Sequence, residues 1–430
     1  MLIFRTFSAP FKLFPCIQGR RVPLRFMLAP GYYISRLRRF TLAPGFHISR
    51  LRRWRLPLAI IFRALGARVF SLVPALQINL NRTIEMQSTR KTKMRFTVIL
   101  LVLFLCIPSA TPVSAKTLHH FVFFGMDREK LQTTKSLLDT KAFEGAQVAY
   151  FWRQLEPGKD EYDFSLIRED LAFLNAHGKK LWVQIQDVSF SERWVPVPKY
   201  LIRDPRYHGG ANRQYVYKNN DEEHATAAGW AARRWDPAVQ DRFHKLLFAL
   251  AKEFDGRIEG INLAESSVDF GYTGRLYPDG FTPGTYRDAL VTTLKVLKQA
   301  FSKSIALQYA NFMPGEWRPS EDKGYLRAIY KTARETKAGV GGPDLLPYQR
   351  RQMGNSYELI REVAGEVPVG IAVQDGNYDH INPKTGKRVT VAELIEFATE
   401  YLKADYIFWC TEEPYYSNDV VTFMQRAQGR

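Results

Sequence analysis

The sequence predicts an α/β protein built as a single (β/α)8 TIM barrel over residues 116–430, with an export segment and a basic stretch ahead of it. Three observations lead there. Eight short runs of β-branched and aromatic residues alternate with amphipathic helical segments, the pattern of parallel βα units. Polar and aromatic residues gather just after those runs, where barrels carry their working loops. The first run leads into Gly125-Met126-Asp127-Arg128, without the GxGxxG phosphate turn of an open doubly wound sheet.

The strands are expected at His120 to Gly125, Ala146 to Trp152, Leu181 to Gln186, Ile258 to Ala264, Ile305 to Asn311, Ala338 to Gly341, Val369 to Val373 and Tyr406 to Cys410. Helix signals fill the gaps. Ser165 is placed to cap a helix whose Ile167, Leu171 and Leu174 recur at helical spacing before Gly178 stops it. Phe243, Leu246, Leu247 and Leu250 mark another helix, and Tyr286, Leu290, Leu294 and Leu297 a further one. Thr390 and Glu393 form a capping box ahead of Leu394, Ile395 and Ala398. The stretch Asp187 to Asp236 is long for a βα loop. Its Trp194, Tyr200, Tyr207, Tyr215, Tyr217, Trp230 and Trp235 suit either a cleft wall or a small subdomain packing its own aromatics.

Charge divides the chain. The 430 residues carry 61 Lys+Arg against 43 Asp+Glu, net +18, but residues 1–115 hold 19 of the bases and one acid, Glu85. The remaining residues balance at 42 of each, which removes the footprint of non-specific phosphate binding, so nucleic acid is not expected as a partner of the main body. Cys16, Cys106 and Cys410 provide no disulfide framework. With no Cys/His cluster and no metal-ligand spacing among the histidines, neither a metal nor a cofactor is expected.

From Met86 a short basic stretch, the apolar run TVILLVLFLCIP and the small residues Val113 and Ala115 have the three parts of a secretory signal, cut after Ala115. The protein is thus expected to be secreted or periplasmic, meeting the membrane only in transit. The alternative is an anchor through residues 97–107, although a hydrocarbon core needs roughly 20 apolar residues. Leu28 to Phe40 nearly repeats at Leu42 to Trp54, and residues 1–85 read as an extension ahead of the true start.

The strand ends suit a sugar. Pyranose faces stack on aromatic rings, hydroxyls bond to amides and carboxylates, and acetal cleavage needs one protonated and one ionised carboxyl. The candidate binding residues are Trp152, Arg153, Gln186, Asn262, Gln308, Tyr309, Asn311, Tyr348 and Trp409, and the candidate catalytic acids Glu265, Asp375 and Glu412. Each has a bland counterpart. Glu265 could be a rim ion pair, Asp375 a turn former beside Gly376, Trp152 and Trp409 barrel filling, and Glu156 a loop salt bridge.

The segment WRQLEPGKDEYDFSLIREDLAFLNAHGKKLWVQIQ resembles strands two and three of the clan of barrel-fold retaining β-glycosidases, the cellulase and β-galactosidase group. IEGINLAES falls where that clan has its fourth-strand acid/base, and ADYIFWCTEEPYY resembles its eighth strand. The resemblance implies a glycoside hydrolase with Glu265 as acid/base and Trp409 as sugar platform. Two departures stand beside it. Ala264 precedes Glu265 where the clan has Asn, and strand seven ends in Gln374-Asp375 where the clan has its nucleophilic Glu. Asp375 or Glu412 is then the partner, and a carbohydrate-binding barrel without hydrolysis is the alternative function.

Overall fold

In a computed structural model, which describes residues 117–218 and 221–428, all eight apolar runs form strands. They are β1 (His119–Gly125), β2 (Phe143–Phe151), β3 (Lys180–Gln186), β4 (Gly260–Leu263), β5 (Ile305–Tyr309), β6 (Gly339–Gly342), β7 (Val369–Val373) and β8 (Tyr406–Cys410). Each pairs in parallel with the next, and β8 closes on β1 with Phe121 opposite Phe408 and Val122 opposite Trp409. The expected (β/α)8 barrel is the observed fold. Its strands read as continuous apolar runs because both faces are covered, one by the barrel interior and one by helices. The expected export segment and the basic stretch ahead of it fall outside the described residues.

Helices α1 (Lys135–Asp139), α2 (Ser165–Ala176), α3 (Pro237–Phe254), α4 (Pro283–Ala300), α5 (Tyr325–Thr336), α6 (Ser356–Val363), α7 (Val391–Glu396) and α8 (Thr422–Gln428) follow the strands in turn. Thr390 caps α7 as expected: its hydroxyl accepts the Glu393 N–H while the Glu393 carboxylate accepts the Thr390 N–H. The start of α2 differs. Ser165 is its first helical residue, and the Asp163 carboxylate, two residues earlier, accepts the Ser165 N–H and takes the capping role. At α3, Asp236 accepts from the N–H groups of Ala238 and Val239, and Pro237 occupies the first helical position, where a missing N–H costs nothing. No helix among the described residues is long and apolar enough to cross a membrane.

The barrel interior is layered. Near the N-terminal ends of the strands, Phe121, Trp182, Tyr406 and Phe408 pack ring on ring, with Trp182 at 4.9 Å from both Tyr406 and Phe408. Gly260 makes room for that indole, since a Cβ there would lie 2.7 Å from it. Above the rings comes a polar layer. Gln147 Nε2 donates to Asn262 Oδ1 and to the Tyr309 hydroxyl, both at 3.0 Å, and Trp182 Nε1 donates to the same Asn262 oxygen at 2.9 Å.

The long segment after β3 folds as a three-stranded antiparallel sheet of Val188–Ser189, Thr226–Ala232 and Ala211–Val216. Its aromatics mostly pack among themselves or onto the loop after β4. Trp235 stands edge-on to Phe270 and Phe281, Arg213 covers Trp230 at 4.5 Å, and the Tyr217 hydroxyl donates to Asp269. Trp194 stays exposed. Of the two expectations, the subdomain describes most of this segment.

Candidate active site

Two residues beyond β4 the chain reaches Glu265, and two beyond β5 it reaches Asn311, whose Nδ2 donates to Glu265 Oε2 at 2.6 Å. The Glu265 carboxyl is raised to about 7, chiefly by burial and further by the charge of Asp344, while Asn311 and Arg234 act in the other direction. Asp344 lies two residues past the end of β6. Burial raises its carboxyl to about 6 against the Asn377 amide, which donates to Oδ1 at 3.1 Å. The repulsion between two neighbouring carboxylates falls on whichever ionises second, and here that is Glu265.

The backbone of Glu265 is fixed from behind. Arg234 grips the buried Asp187 carboxylate with two bonds of 2.7 and 2.5 Å, and it also donates to the Glu265 carbonyl at 2.9 Å and to the Tyr286 hydroxyl at 2.6 Å. Tyr286 in turn donates to the Ser266 carbonyl at 3.0 Å. The Ser266 hydroxyl accepts the Asn311 N–H at 3.1 Å and donates to the Phe312 carbonyl at 2.8 Å. Glu265 and its amide partner therefore share one rigid frame, the kind of support that holds a reactive group in a single geometry.

A second group of acids sits at β7 and β8. Asp375 follows β7, Cys410 ends β8 and Glu412 lies two residues on, and one ligand atom from each falls within 4.8 Å of the others. The Gly376 N–H donates to Glu412 Oε2 at 2.8 Å. Burial, with the charges of Asp375 and Glu412 added, pushes the Cys410 thiol well up.

The structure brings some predicted residues to this mouth and takes others away. Glu265 and Asn311 meet there, and Gln186 ends β3 as a buried residue. Asn262 and Tyr309 face inward but belong to the polar layer beneath, bound to Gln147 and Trp182. Trp409 does not offer a platform: it is 0% exposed, and its Nε1 meets His120 at 3.2 Å. Neighbouring Phe408 is the residue packed inside the barrel, so Trp409 points to the helix side. Gln308 alternates with inward Tyr309 and likewise faces outward, with Nε2 donating to the carbonyls of Ala264 and Tyr309. Trp152 packs edge-on to Phe243 of α3 and donates to Glu156. Together with Gln308, Arg234 and Leu263 it lines a small cavity between barrel and helices, away from the mouth.

Arg153 donates to the Val195 carbonyl at 3.4 Å, and Tyr348 lies in the loop after β6 at a φ of 70° with Lys384 over its ring. Glu156 is the loop ion pair, buried against Arg242, with the Tyr200 hydroxyl donating to it at 2.9 Å. The residues that sequence reasoning passed over are Asp344, Asn377, Arg234 and Tyr286. Asp344 carried one usable signal, an acid close behind the strand-six run in Gly342-Pro343-Asp344, and the structure puts it, like Glu265, two residues beyond its strand.

No protein-family model and no curated protein matches the chain. Several solved structures are similar in fold. The catalytic domain of beta-amylase from Paenibacillus polymyxa is 11% identical, with 69% of this chain and 92% of that one covered and a TM-score of 0.46. GH5_18 from Streptomyces cattleya in complex with GlcNAc is 14% identical over 69% of this chain and 71% of that one, TM-score 0.42. The polyextremophilic beta-galactosidase from Halorubrum lacusprofundi is 11% identical over 68% of this chain and 52% of that one, TM-score 0.43. At such identities the likeness concerns fold, which the closed strand order establishes by itself: the chain is a (β/α)8 barrel, and the solved barrels it resembles include glycoside hydrolases.

Proposed function

We propose that this barrel cleaves O-glycosidic bonds of an oligo- or polysaccharide, with Glu265 as general acid/base and Asp344 as its ionised partner. The observation that carries the reading is the pair of partly buried carboxyls at the C-terminal mouth, one raised to about 7 and the other to about 6. Between those values Asp344 is ionised while Glu265 keeps its proton, which is the division of labour acetal cleavage needs. Glu265 gives its proton to the leaving oxygen, and the Asn311 amide at 2.6 Å then steadies the carboxylate left behind. Asp344, oriented by Asn377, meets the positive charge that develops at the anomeric carbon, either by bonding to it or by activating a water.

This reading puts Asp344 where Asp375 or Glu412 was expected, because Asp344 is the acid whose charge acts on Glu265. Asp375 and Glu412 gather instead around Cys410. The test is a panel of glycosides assayed with four proteins. Glu265→Gln should lower turnover of substrates with poor leaving groups by about 10² to 10⁴, the usual general-acid contribution. Asp344→Asn should abolish cleavage even of activated aryl glycosides, whereas Asp375→Asn retains it. Proton NMR of the first-formed anomer reads retention or inversion. A wild-type protein that binds oligosaccharides yet cleaves none of the panel would leave the binding-barrel alternative standing.

A further inference from the structure

With Trp409 turned to the helices, a stacking surface for sugar has to come from the rim, and one stretch of rim offers it beside the acid/base pair. Asn311, which holds Glu265, is followed by Phe312, and further along the same loop Trp317 stands 39% exposed. The loop after β6 meets them there: the Arg351 guanidinium lies 5.6 Å from the centre of the Phe312 ring and 5.6 Å from that of Trp317. The loop after β7 extends the row, with the Lys384 ammonium 5.5 Å from the centre of the Tyr348 ring. A guanidinium laid against rings is already ordered, and it gives up less freedom when it binds a planar anion.

The charge of this rim is one-sided. Residues 345–353 and 380–388 contain Arg350, Arg351, Lys384, Lys387 and Arg388 and no acid. Asp419 pairs with Arg388 at 2.9 Å, whereas Arg350, Lys384 and Lys387 are exposed and make no ion pair among the described residues. The acids near Trp317 are committed to the fold: Glu316 accepts the N–H groups of Lys323, Gly324 and Leu326, and Asp322 and Glu358 pair with Arg318. The loop that carries Tyr348 and the arginines is also pinned. The Leu346 N–H donates to the Tyr357 hydroxyl at 2.8 Å, the Leu345 N–H to Asn377 Oδ1 at 3.3 Å, and His380 Nε2 to the Pro347 carbonyl at 2.5 Å. These bonds hold Tyr348 at a φ of 70°, a left-handed conformation uncommon for a bulky residue, and such outliers gather at ligand sites. Asn377 orients Asp344 as well, so the rim and Asp344 belong to one frame.

We propose that the rim of Trp317, Arg351, Tyr348 and Lys384 binds an anionic oligosaccharide, its sugar faces resting on the rings and its carboxylate or sulfate groups meeting the cations. The proposal rests on the glycosidase reading of the mouth and names the substrate class for that site. Carboxylate oxygens match the planar fork of an arginine, and a sulfate ester presents oxygens of like charge. Neighbouring strands lie about 4.8 Å apart, so the loops after β5, β6 and β7 extend over about 10 Å, more than one sugar ring covers. A single exposed ion pair contributes little, and the preference for an acidic chain comes from several cations meeting successive residues of one oligomer. Residues 116–430 balance in charge overall, which makes this a local feature of the mouth and not a general basic surface.

The experiment is calorimetric titration of the full-chain Glu265→Gln protein, so that binding is read without cleavage. The probes are tetrasaccharides of galacturonate, glucuronate, mannuronate and guluronate, each beside its carboxyl-reduced counterpart, and a sulfated chondroitin tetrasaccharide beside its desulfated form. At least one probe should bind about tenfold or more tightly than its counterpart at low salt, and the gap should narrow at high salt. The pair with the larger gap tells whether the rim takes carboxylate or sulfate. Lys384→Gln, a change on an exposed loop, should weaken that probe about threefold to fivefold, leave its counterpart unaffected and be rescued by Lys384→Arg. Trp317→Ala should weaken both members of the pair. Equal affinity within every pair, or no binding of any probe, overturns the proposal, and so does undiminished affinity in Lys384→Gln. Cleavage is read separately with the wild-type protein. Neutral glycosides bound and cleaved in preference to anionic ones would keep the glycosidase reading and remove this one, while anionic probes bound and left intact would do the reverse.

Discussion

Replacing Glu265 with Gln should stabilise the protein in alkaline solution, and the size of the effect follows from the site. In the folded chain the Glu265 carboxyl is raised from its ordinary 4.5 to about 7. At about 1.4 kcal/mol per pH unit, ionising it inside the fold costs about 3 kcal/mol more than ionising it in the unfolded chain. A raised folded value means that the native state holds the proton more tightly, so this contribution is fully present below 4.5 and is lost as pH rises through 7. Gln cannot ionise and keeps the hydrogen-bonding shape. The variant should match wild type near pH 4 and exceed it near pH 8 by up to about 3 kcal/mol. Urea unfolding followed by circular dichroism at several pH values measures the difference. Parallel pH dependence in the two proteins would refute the premise that Glu265 is held protonated by its surroundings, and with it the basis for calling it an acid.

Cleavage, where found, should show a bell-shaped kcat/KM with limbs near 6 and 7, rising as Asp344 ionises and falling as Glu265 does, and a profile flat across that interval would break the assignment. Arg234→Ala should destabilise the protein by about 3–5 kcal/mol in urea unfolding, because it strands the Asp187 carboxylate in the interior. Turnover should fall as well, since the Glu265 carbonyl loses its anchor. Gly341→Ala should prevent stable folding, because the added Cβ would lie 1.6 Å from the Gly370 carbonyl oxygen in the adjoining strand, and native thermal melting of that variant would contradict the register of β6 and β7. N-terminal sequencing of exported protein should begin at Lys116, and a start before Met86 would overturn the signal reading.

The barrel was legible because its punctuation is local. Each strand is a short apolar run bounded by turn residues, each longer helix carries an apolar stripe, and eight repeats of that unit leave few other architectures. The position of Glu265 was legible for the same reason, as an acid directly after an apolar strand. The Ser165 cap differs by a small margin. Asp163 and Ser165 are both good capping residues, and only the φ and ψ of Phe164 between them decide which one sits outside the helix.

The direction in which each strand residue faces was not legible, and that explains the misplacing of Trp409 and Gln308. In a sheet exposed on one side, polar and apolar residues alternate and the parity announces itself. Here both faces are buried, so Tyr406, Ile407, Phe408, Trp409 and Cys410 are all apolar and all covered, and nothing in that run says that Phe408 looks inward and Trp409 outward. One clue to parity was present in the glycines. Gly145, Gly260 and Gly370 all stand where a Cβ would strike an interior ring, Phe121, Trp182 or Phe408 respectively, so a glycine in a barrel strand facing a large residue on its neighbour marks the inward face. Counting by twos from Gly260 gives Asn262 inward and Leu263 outward, and from Gly370 gives Gln374 inward. The strand pairing then sets Gln374 beside Cys410 and carries Trp409 to the helix side. The same count that removes the supposed sugar platform thus turns Asn262 and Gln374 toward the barrel axis, while Glu265 and Asp344 come from the loops that follow β4 and β6 and escape the count altogether.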